Sequence, residues 1–305
     1  MTQAGRWIAV DWRTDRAHVA LMSGATATDR RDVEHGSEGV RPNAIGPALA
    51  ALAGDWLPAD GAPIDILVCG PVGLPPRRAV PCPPLADTPV EMPDPDPRLR
   101  VRVVPGLTQA TPHPDILQGG ETRIAGLLAE RPEFDGVVGL TGAHTIWAHV
   151  SVGEVVSFRT AMTGELFGLL ARGTLGAALA GGGWGDADVS DAAFLDAVSD
   201  TMSRPERALS TLFELRAAEM LGTGRPGSAQ ARLSGLLIGA ELAATRAWWL
   251  GREVALVGPP GPSEAYRVAL AAQGIDANVH DGAAAALRGL VAAHRTHATT
   301  QGQDR

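Results

Sequence analysis

The chain has 305 residues, of which 45% are hydrophobic, and its formal net charge at pH 7 is −8. This length suits one large domain or two ordinary ones, with enough apolar residues for a sizeable core. The acidic balance argues against a nucleic-acid partner, which requires a basic surface. All 26 basic residues are Arg, so a Schiff-base lysine and a P-loop lysine are both excluded.

Targeting and membrane signals are not found in the sequence. The N-terminus lacks a charged start followed by a long apolar segment, and Gly, Glu or Arg interrupts the longest apolar stretches well short of a bilayer span. Cys69 and Cys82 are expected to be reduced thiols, with one disulfide as the alternative. We therefore predict a soluble cytoplasmic protein without a membrane partner.

The first half of the chain is predicted to alternate strands and helices. In chain order the elements are the strands WIAVDW and AHVALM, a helix in PNAIGPALAALAGDWL, the strands IDILVCG and LRVRVVPG, and a helix in DILQGGETRIAGLLAER. The segment Pro71–Pro97 holds too many prolines for a helix or a central strand. It is either a linker or an ordered loop, and an ordered loop of this length indicates a functional role.

The second half opens with strands and is then dominated by helices. The elements are three strands in GVVGLTGAHTIWAHVSVGEVVSF, helices in TGELFGLLARGTLGAAL, DAAFLDAVSD, PERALSTLFELRAAEML and AQARLSGLLIGAELAATRAWWL, the strand EVALVGPPG, a helix in PSEAYRVALAAQG, the strand DANVH and a helix in DGAAAALRGLVAAH. Thr163 is the expected N-cap of the first helix, and the polar tail from His294 is expected to fray. Pro132 interrupts the chain between two halves that each begin with a hairpin, so we predict domains at 1–132 and 133–305.

Each half bends its first hairpin at small, hydroxyl or acidic residues. LTGAHT supplies Thr141, Gly142 and Thr145, and DWRTD supplies Asp11 and Thr14. Such bends present N–H groups and hydroxyls to anions, and a glycine lets backbone approach a ligand closely. Two bends facing across a cleft would hold phosphates from both sides, with Mg²⁺ held by Asp11 through water. Hairpins are common, so an ordinary structural role is the alternative.

Several motifs together resemble one enzyme family. DWRTD after an apolar strand, DILQGGETRIAG, GLTGAHTIWAHVSVGEVVSFRTAMTGELFGLL and ARLSGLLIGAELAA are similar, in this order, to the 2-dehydro-3-deoxygalactonokinases. The resemblance covers nearly the whole chain. It implies an α/β fold of two ribonuclease-H-like, actin-like ATPase domains with an interdomain cleft, and the C-terminal domain as the nucleotide-binding side. It also implies ATP and Mg²⁺ as cofactors and phosphoryl transfer to the 6-hydroxyl of 2-dehydro-3-deoxy-D-galactonate, and it is compatible with a homodimer.

Some positions depart from the family's pattern. The first turn of the family usually reads Asp-Trp-Gly-Thr-Thr-Asn, and the segment before the central helix Met-Arg-Gly-Glu-Glu-Thr. The departures in this chain are Arg13, Asp15, the run Leu117–Gly120, Ala143, Ile146, Pro259 and Pro260. Because they cluster where ATP and catalysis are expected, an alternative function is a weakened or inactive relative that binds a sugar acid or nucleotide in a regulatory or scaffolding role.

Candidate site residues follow from the motifs and the resemblance. Glu121 is the first candidate for the general base that accepts the substrate hydroxyl proton, and Asp115 is the second. The predicted nucleotide contacts are Asp11, Arg13, Thr14, Thr141, Gly142, His144, Thr145 and Gly258. The sugar acid is assigned to Arg77, whose guanidinium suits a carboxylate, and to Thr163 and Glu165 at a helix start. Caps, turns and solvent-exposed charges are the alternative for each.

Overall fold

The structure of the protein is a computed structural model. It describes residues 5–303 except 35, 38–39, 42–43, 60–61, 73–76, 87, 94–95, 180–181 and 226, with side chains described as far as 297. The chain forms two compact units. The first comprises Met1–Phe134, Val152–Val156 and Ala283–Arg305, and the second Asp135–Ser151 and Ser157–Gly282. The domain division at residue 132 stays a prediction. The C-terminal segment Ala283–Arg305 belongs to the same compact unit as the first half of the chain.

The first unit is built on a mixed sheet. Its strands are β1 (Arg6–Trp12), β2 (Ala17–Ser23), β3 (Thr26–Val33), β4 (Ile64–Cys69), β5 (Arg78–Ala79), β6 (Val90–Met92), β7 (Leu99–Val103), β8 (Leu107–Gln109) and β9 (Asp115–Leu117). Its early helices are α1 (Ile45–Ala53) and α2 (Gly120–Glu130). The main sheet has the order β3-β2-β1-β4-β7-β6, in which β1, β4 and β7 run parallel, and β5, β8 and β9 form a small sheet.

The second unit repeats the sheet order of the first. The strands of its sheet are β10 (Gly136–Leu140), β11 (Thr145–Ser151), β12 (Glu154–Ala161), β13 (Val254–Gly258) and β14 (Ala277–Asp281). The first residues of β12, as far as Val156, belong to the first unit. Its helices are α3 (Thr163–Arg172), α4 (Gly176–Leu179), α5 (Ala192–Ser203), α6 (Ala208–Leu221), α7 (Ala229–Ala244), α8 (Arg246–Trp249) and α9 (Pro260–Ala271), and α10 (Gly282–Gln303) follows. The order β12-β11-β10-β13-β14 matches β3-β2-β1-β4-β7, with an antiparallel hairpin beside parallel strands in both.

Most predicted elements are confirmed, and the exceptions have physical causes. Strand β3 was not predicted, because its residues are mostly exposed and polar and show no apolar alternation. The proline-rich segment contributes the short strands β5 and β6, each at an edge of its sheet, where a missing N–H donor is tolerated. The polar tail is helical as far as Gln303, where α10 ends, and its fraying stays a prediction. The expectation of two reduced thiols is confirmed, since both cysteines are free, and the alternative of a disulfide is wrong.

The core of the first unit lies on both faces of its sheet. Ile8 and Val10 of β1 pack with Leu49 of α1 on one face, and Trp7 packs with Leu290 of α10 on the other. Burial on both faces explains why β1 and β4 read as continuous apolar runs. Within the described residues, no helix combines the length and the apolar character needed to cross a membrane.

Glycines allow α2 and α10 to pack closely. A Cβ at Gly126 would overlap the carbonyl oxygen of Ala285, and a Cβ at Gly289 would overlap that of Thr122. We expect Gly126→Ala to lower the free energy of unfolding by about 3 kcal/mol, because backbone must move to relieve the overlap. Urea denaturation measures this. Gly168→Ala is the control, since its Cβ would meet only the flexible end of Arg172, and it should gain up to about 1 kcal/mol. Equal stabilities for the two variants would contradict the prediction.

Candidate active site

Asp11 lies at the end of a buried strand, beside another strand end. It is opposite Cys69 in the parallel pair of β1 and β4. Asp11 is 3% exposed, and the Cys69 thiol donates to Asp11 Oδ1 at 3.6 Å. Burial and the nearby Asp11 and Glu121 carboxylates raise the pKa of the Cys69 thiol well above its usual range. Cys69 is therefore a neutral, inert thiol in the core of the first unit.

Arg123 of α2 neutralises Asp11. One guanidinium nitrogen of Arg123 donates to both carboxylate oxygens of Asp11 at 3.1 Å, and both side chains are nearly buried. Burial alone would lower the pKa of Arg123, but the Asp11 carboxylate raises it above its ordinary value. Among the described residues, no three His, Cys, Asp or Glu side chains are grouped to hold a metal ion. Mg²⁺ is usually held by only one or two protein carboxylates together with waters and substrate phosphates, so contact of Asp11 with Mg²⁺ through water stays a prediction.

Glu121 is a fully buried carboxyl group with one unused oxygen. The Gly119 N–H and the Thr122 hydroxyl donate to Glu121 Oε1 at 3.0 and 3.1 Å. Its Oε2 is buried and has no hydrogen-bond partner among the described residues. Burial raises the pKa of Glu121 to about 7, and these hydrogen bonds limit the rise. A carboxyl group with this pKa exchanges a proton near neutral pH, as a general base must.

Asp115, the second candidate base, occupies a different environment. It begins β9 in the small sheet opposite Gln109 and is half-buried. The N–H of Ile116 donates to Asp115 Oδ1 at 2.8 Å, which holds the carboxylate against its own strand. Asp115 is therefore the more accessible carboxylate, and Glu121 is the one with an unused oxygen.

The first bend of the first unit, at residues 13–16, is held by hydrogen bonds to backbone carbonyl groups. The N–H of Arg13 donates to the carbonyl of Arg16 at 2.8 Å, and Ser37 donates to the Arg13 carbonyl through both its N–H and its hydroxyl. Burial and the neighbouring charge of Arg123 lower the pKa of Arg13 to about 10, and Arg13 Nε lies 3.7 Å from Asp15. The side chain is still a cation at neutral pH, whereas Thr14 is exposed.

The bend of the second unit, residues 141–144, and the residue after it turn their hydroxyl groups inward. Thr141 is 1% exposed and its hydroxyl lies 2.7 Å from that of Ser263, while Thr145 is fully buried with its hydroxyl 2.8 Å from that of Tyr266. The buried Gly142 carbonyl accepts from the indole of Trp184 at 2.8 Å. Exposed groups at the tip are Ala143 and His144.

Helix α3 starts beside this bend. The N–H of Glu165 donates to the Ala143 carbonyl at 2.8 Å, and the side chains of His144 and Glu165 meet at 2.6 Å while both stay partly exposed. Thr163 is 5% exposed and donates its hydroxyl to Glu241 of α7. The prediction of Thr163 as an N-cap is wrong, because Met162 occupies that position and makes no capping bond.

Gly258 ends β13 against the same bend. A Cβ at Gly258 would overlap the Thr141 hydroxyl, so only glycine permits this approach. Pro259 is the N-cap of α9 and Pro260 its first residue. Proline suits the first helical position because its missing N–H has no partner there. The same two prolines remove N–H donors from this helix start.

The two neighbouring arginines of the proline-rich segment behave differently. Arg78 donates to the carbonyls of Pro83 and Pro84 at 2.8 Å, so it holds the loop together. Arg77 is half-buried, and its Nε, like that of Arg78, is buried without a hydrogen-bond partner among the described residues. An unsatisfied guanidinium nitrogen is a costly feature that an anionic ligand relieves.

Comparison with solved structures defines the class of protein. The activator of the 2-hydroxyisocaproyl-CoA dehydratase from Clostridium difficile, with bound ADPNP, covers 98% of this chain and 97% of its own at a TM-score of 0.55 and 11% identity, and so shares the fold alone. A crystal structure from Sinorhizobium meliloti, of a protein assigned as a 2-dehydro-3-deoxygalactonokinase, has a TM-score of 0.82 at 32% identity over 95% of this chain and 96% of its own. The protein is an enzyme, a sugar kinase with the actin-like ATPase fold.

Sequence comparison defines the family. The sequence model of the 2-keto-3-deoxy-galactonokinases matches residues 11–293. The chain belongs to this family. A probable 2-dehydro-3-deoxygalactonokinase of Rhizobium meliloti (strain 1021) is 34% identical and covers 97% of this chain and 98% of its own length. The 2-dehydro-3-deoxygalactonokinase of Escherichia coli (strain K12) is 29% identical and covers 89% of this chain and 91% of its own length.

Proposed function

We propose that the protein phosphorylates 2-dehydro-3-deoxy-D-galactonate at its 6-hydroxyl with ATP. The observation that carries this proposal is the family match over residues 11–293, which spans every candidate site residue. The relatives are named as kinases, which gives no support to the alternative of an inactive regulatory protein. Phosphoryl transfer depends on positioning and charge neutralisation, and the described clusters supply buried charges and fixed turns for both.

Glu121 is our first candidate for the general base. Its Oε2 would accept the proton of the 6-hydroxyl as the O6–phosphorus bond forms and ADP leaves with the electrons of the broken bond. The unused oxygen and a pKa of about 7 support this role. Because Glu121 is 0% exposed, contact with substrate requires a shift that uncovers Oε2. Asp115 needs no such shift and is the competing candidate.

The nucleotide phosphates are assigned to the two bends. Arg13 supports this in the first unit, because its charge is repelled by Arg123 and an anion beside both would relieve the repulsion. In the second unit we assign the phosphates to the backbone at Gly142 and to His144, with Gly258 allowing the close approach of β13. Asp11 would contact Mg²⁺ through water. When bound, Mg²⁺ supplies positive charge that offsets the phosphate oxygens.

The substrate carboxylate is assigned to Arg77. We expect Arg77→Ala to raise KM for the sugar acid about tenfold and to leave KM for ATP unchanged, because one charge-assisted hydrogen bond to a carboxylate is lost. Arg98→Ala is the matched control, since it removes an exposed arginine that pairs only locally with Asp96. Equal KM values for the sugar acid in the two variants would contradict the assignment.

A coupled assay of ADP formation tests the proposed function. The purified full chain with ATP, Mg²⁺ and 2-dehydro-3-deoxygalactonate should form ADP only when the sugar acid is present. The 4-epimer, 2-dehydro-3-deoxygluconate, is the comparison that reports specificity. Binding of the sugar acid without ADP formation would favour the regulatory alternative, and no response to either sugar acid would reject the substrate class.

A further inference from the structure

Glu241 is a carboxylate buried in an otherwise apolar part of α7. It is 6% exposed, and its helix buries Leu236, Ile238 and Leu242 around it. Burying an ionised carboxylate is costly unless donors surround it. Trp147 Nε1 donates to Glu241 Oε1 at 2.7 Å, while Tyr266 and Thr163 donate their hydroxyl protons to Oε2. The carboxylate therefore connects β11, α3 and α9 to α7.

Counting donors fixes the directions of the hydroxyl groups. Tyr266 gives its proton to Glu241 at 2.5 Å, so the Thr145 hydroxyl, 2.8 Å away, must donate to the Tyr266 oxygen or to Glu241 itself. Thr163 likewise donates its hydroxyl proton to Glu241. Both threonine protons point into the core, so neither hydroxyl can donate to a ligand. Their positions are instead set by Glu241.

These threonines anchor the two segments assigned to ligand binding. Thr145 directly follows the bend at residues 141–144, and Thr163 is the first residue of α3. The front of the same segments carries His144 and Glu165, which are partly exposed and joined at 2.6 Å. A displacement of about 1 Å in such a segment can cost a hundredfold in rate. Although Glu241 lies in the core, it is thus placed to fix the positions of the partly exposed His144 and Glu165.

We propose that Glu241 is a positioning residue for phosphoryl transfer, which holds the bend at residues 141–144 and the start of α3 in place through Thr145, Tyr266 and Thr163. This inference rests on the proposed function for its kinetic consequence. The inference concerns the geometry of the second unit alone. It therefore also predicts a change in amide hydrogen exchange, which can be measured even if the protein has no kinase activity. Glu241 touches no substrate and is not a catalytic residue.

The test compares Glu241→Gln with a matched control in the full-length protein. Gln keeps the shape but replaces an accepting oxygen by a donor, so at least one hydroxyl must turn. Thr201→Val is the control: it removes a buried hydroxyl that bonds the Ala197 carbonyl within α5 and the Leu236 carbonyl of α7, away from the bend. Tyr266→Phe is a milder second variant, in case Glu241→Gln folds poorly. Thermal stability, kcat, KM for ATP and amide hydrogen exchange of residues 140–146 and 162–166 are measured.

We expect Glu241→Gln to lower kcat about tenfold or more and to speed exchange in both segments about tenfold, and Tyr266→Phe to act in the same direction more weakly. Thr201→Val should change neither kinetics nor exchange in these segments, even if it lowers the melting temperature. Exchange equal to wild type in Glu241→Gln and Tyr266→Phe would overturn the inference whether or not the wild type is a kinase. An inactive wild type with faster exchange in both variants would reject the proposed function and keep Glu241 as the residue that positions these segments.

Discussion

Glu121→Gln is expected to lower kcat by about a hundredfold or more, because a general base contributes about this much to the rate of proton transfer. Gln preserves the shape and the accepting oxygen used by Gly119 and Thr122, so the fold should persist. Steady-state kinetics with saturating ATP measures the change. Asp115→Asn is the matched control and should stay within about tenfold of wild type. The reverse order of effects would transfer the role of base to Asp115.

The pH dependence gives an independent test of the same residue. The pKa of Glu121 is raised to about 7, so the free enzyme loses the ionised base as pH falls below that value. We expect kcat/KM to decline on the acidic side with an apparent pKa near 7. A decline that begins only near the ordinary pKa of a carboxyl group would contradict the assignment.

The free energy of unfolding should also change with pH as Glu121 titrates, and the direction of this change is defined. Because the folded pKa of Glu121 lies above the ordinary 4.5, the folded protein binds this proton more tightly than the unfolded chain. Its contribution to stability is present below pH 4.5 and is lost as pH rises to about 7. Gln does not titrate, so Glu121→Gln does not lose this stability. As pH rises from 4.5 to about 7, the unfolding free energy of the variant should therefore increase relative to that of the wild type.

Arg123→Met is expected to destabilise the protein by about 3–5 kcal/mol, because it leaves the Asp11 carboxylate buried without a counter-charge. Met is similar in length and apolar, so the change tests charge more than packing. Denaturant unfolding measures the effect. The double variant Asp11→Asn with Arg123→Met should recover much of the loss, since no buried charge then remains uncompensated.

The coupling between Asp11 and Arg123 also has a clear contradicting result. If Arg123→Met costs less than about 1 kcal/mol, the pair behaves as a surface ion pair. In that case Asp11 is hydrated, and direct coordination of a metal ion by Asp11 becomes a better interpretation than contact through water. Additive effects of the two single substitutions would point the same way.

The fold was largely predictable because its signals are local. Continuous apolar runs identify β1, β4 and β13, and their burial on both faces is what makes those runs continuous. Strand β3 lacked such a signal because its residues face solvent. The long helix predicted through Trp249 is instead divided into α7 and α8 at Thr245, whose hydroxyl bonds the Glu241 carbonyl. Hydrophobic spacing does not reveal where this long helix divides.

The candidate site was predictable only in part. Asp11 could be found from its place after an apolar strand, but its partner Arg123 is 112 residues away and no local pattern joins them. Glu241 did carry a signal, since it is the single carboxylate in the apolar run GLLIGAELAA. The inward direction of Thr145 follows from strand alternation with the buried Trp147, two residues further along β11.

Identification of the reaction product is the sharpest test of phosphoryl transfer to the 6-hydroxyl of the sugar acid. The full chain is incubated with ATP, Mg²⁺ and 2-dehydro-3-deoxygalactonate, and the product is analysed by phosphorus NMR. We expect a new phosphate monoester whose phosphorus couples to the protons on carbon 6, formed in equal amount with ADP. A phosphate on any other carbon, or ADP without a phosphorylated sugar acid, would contradict it.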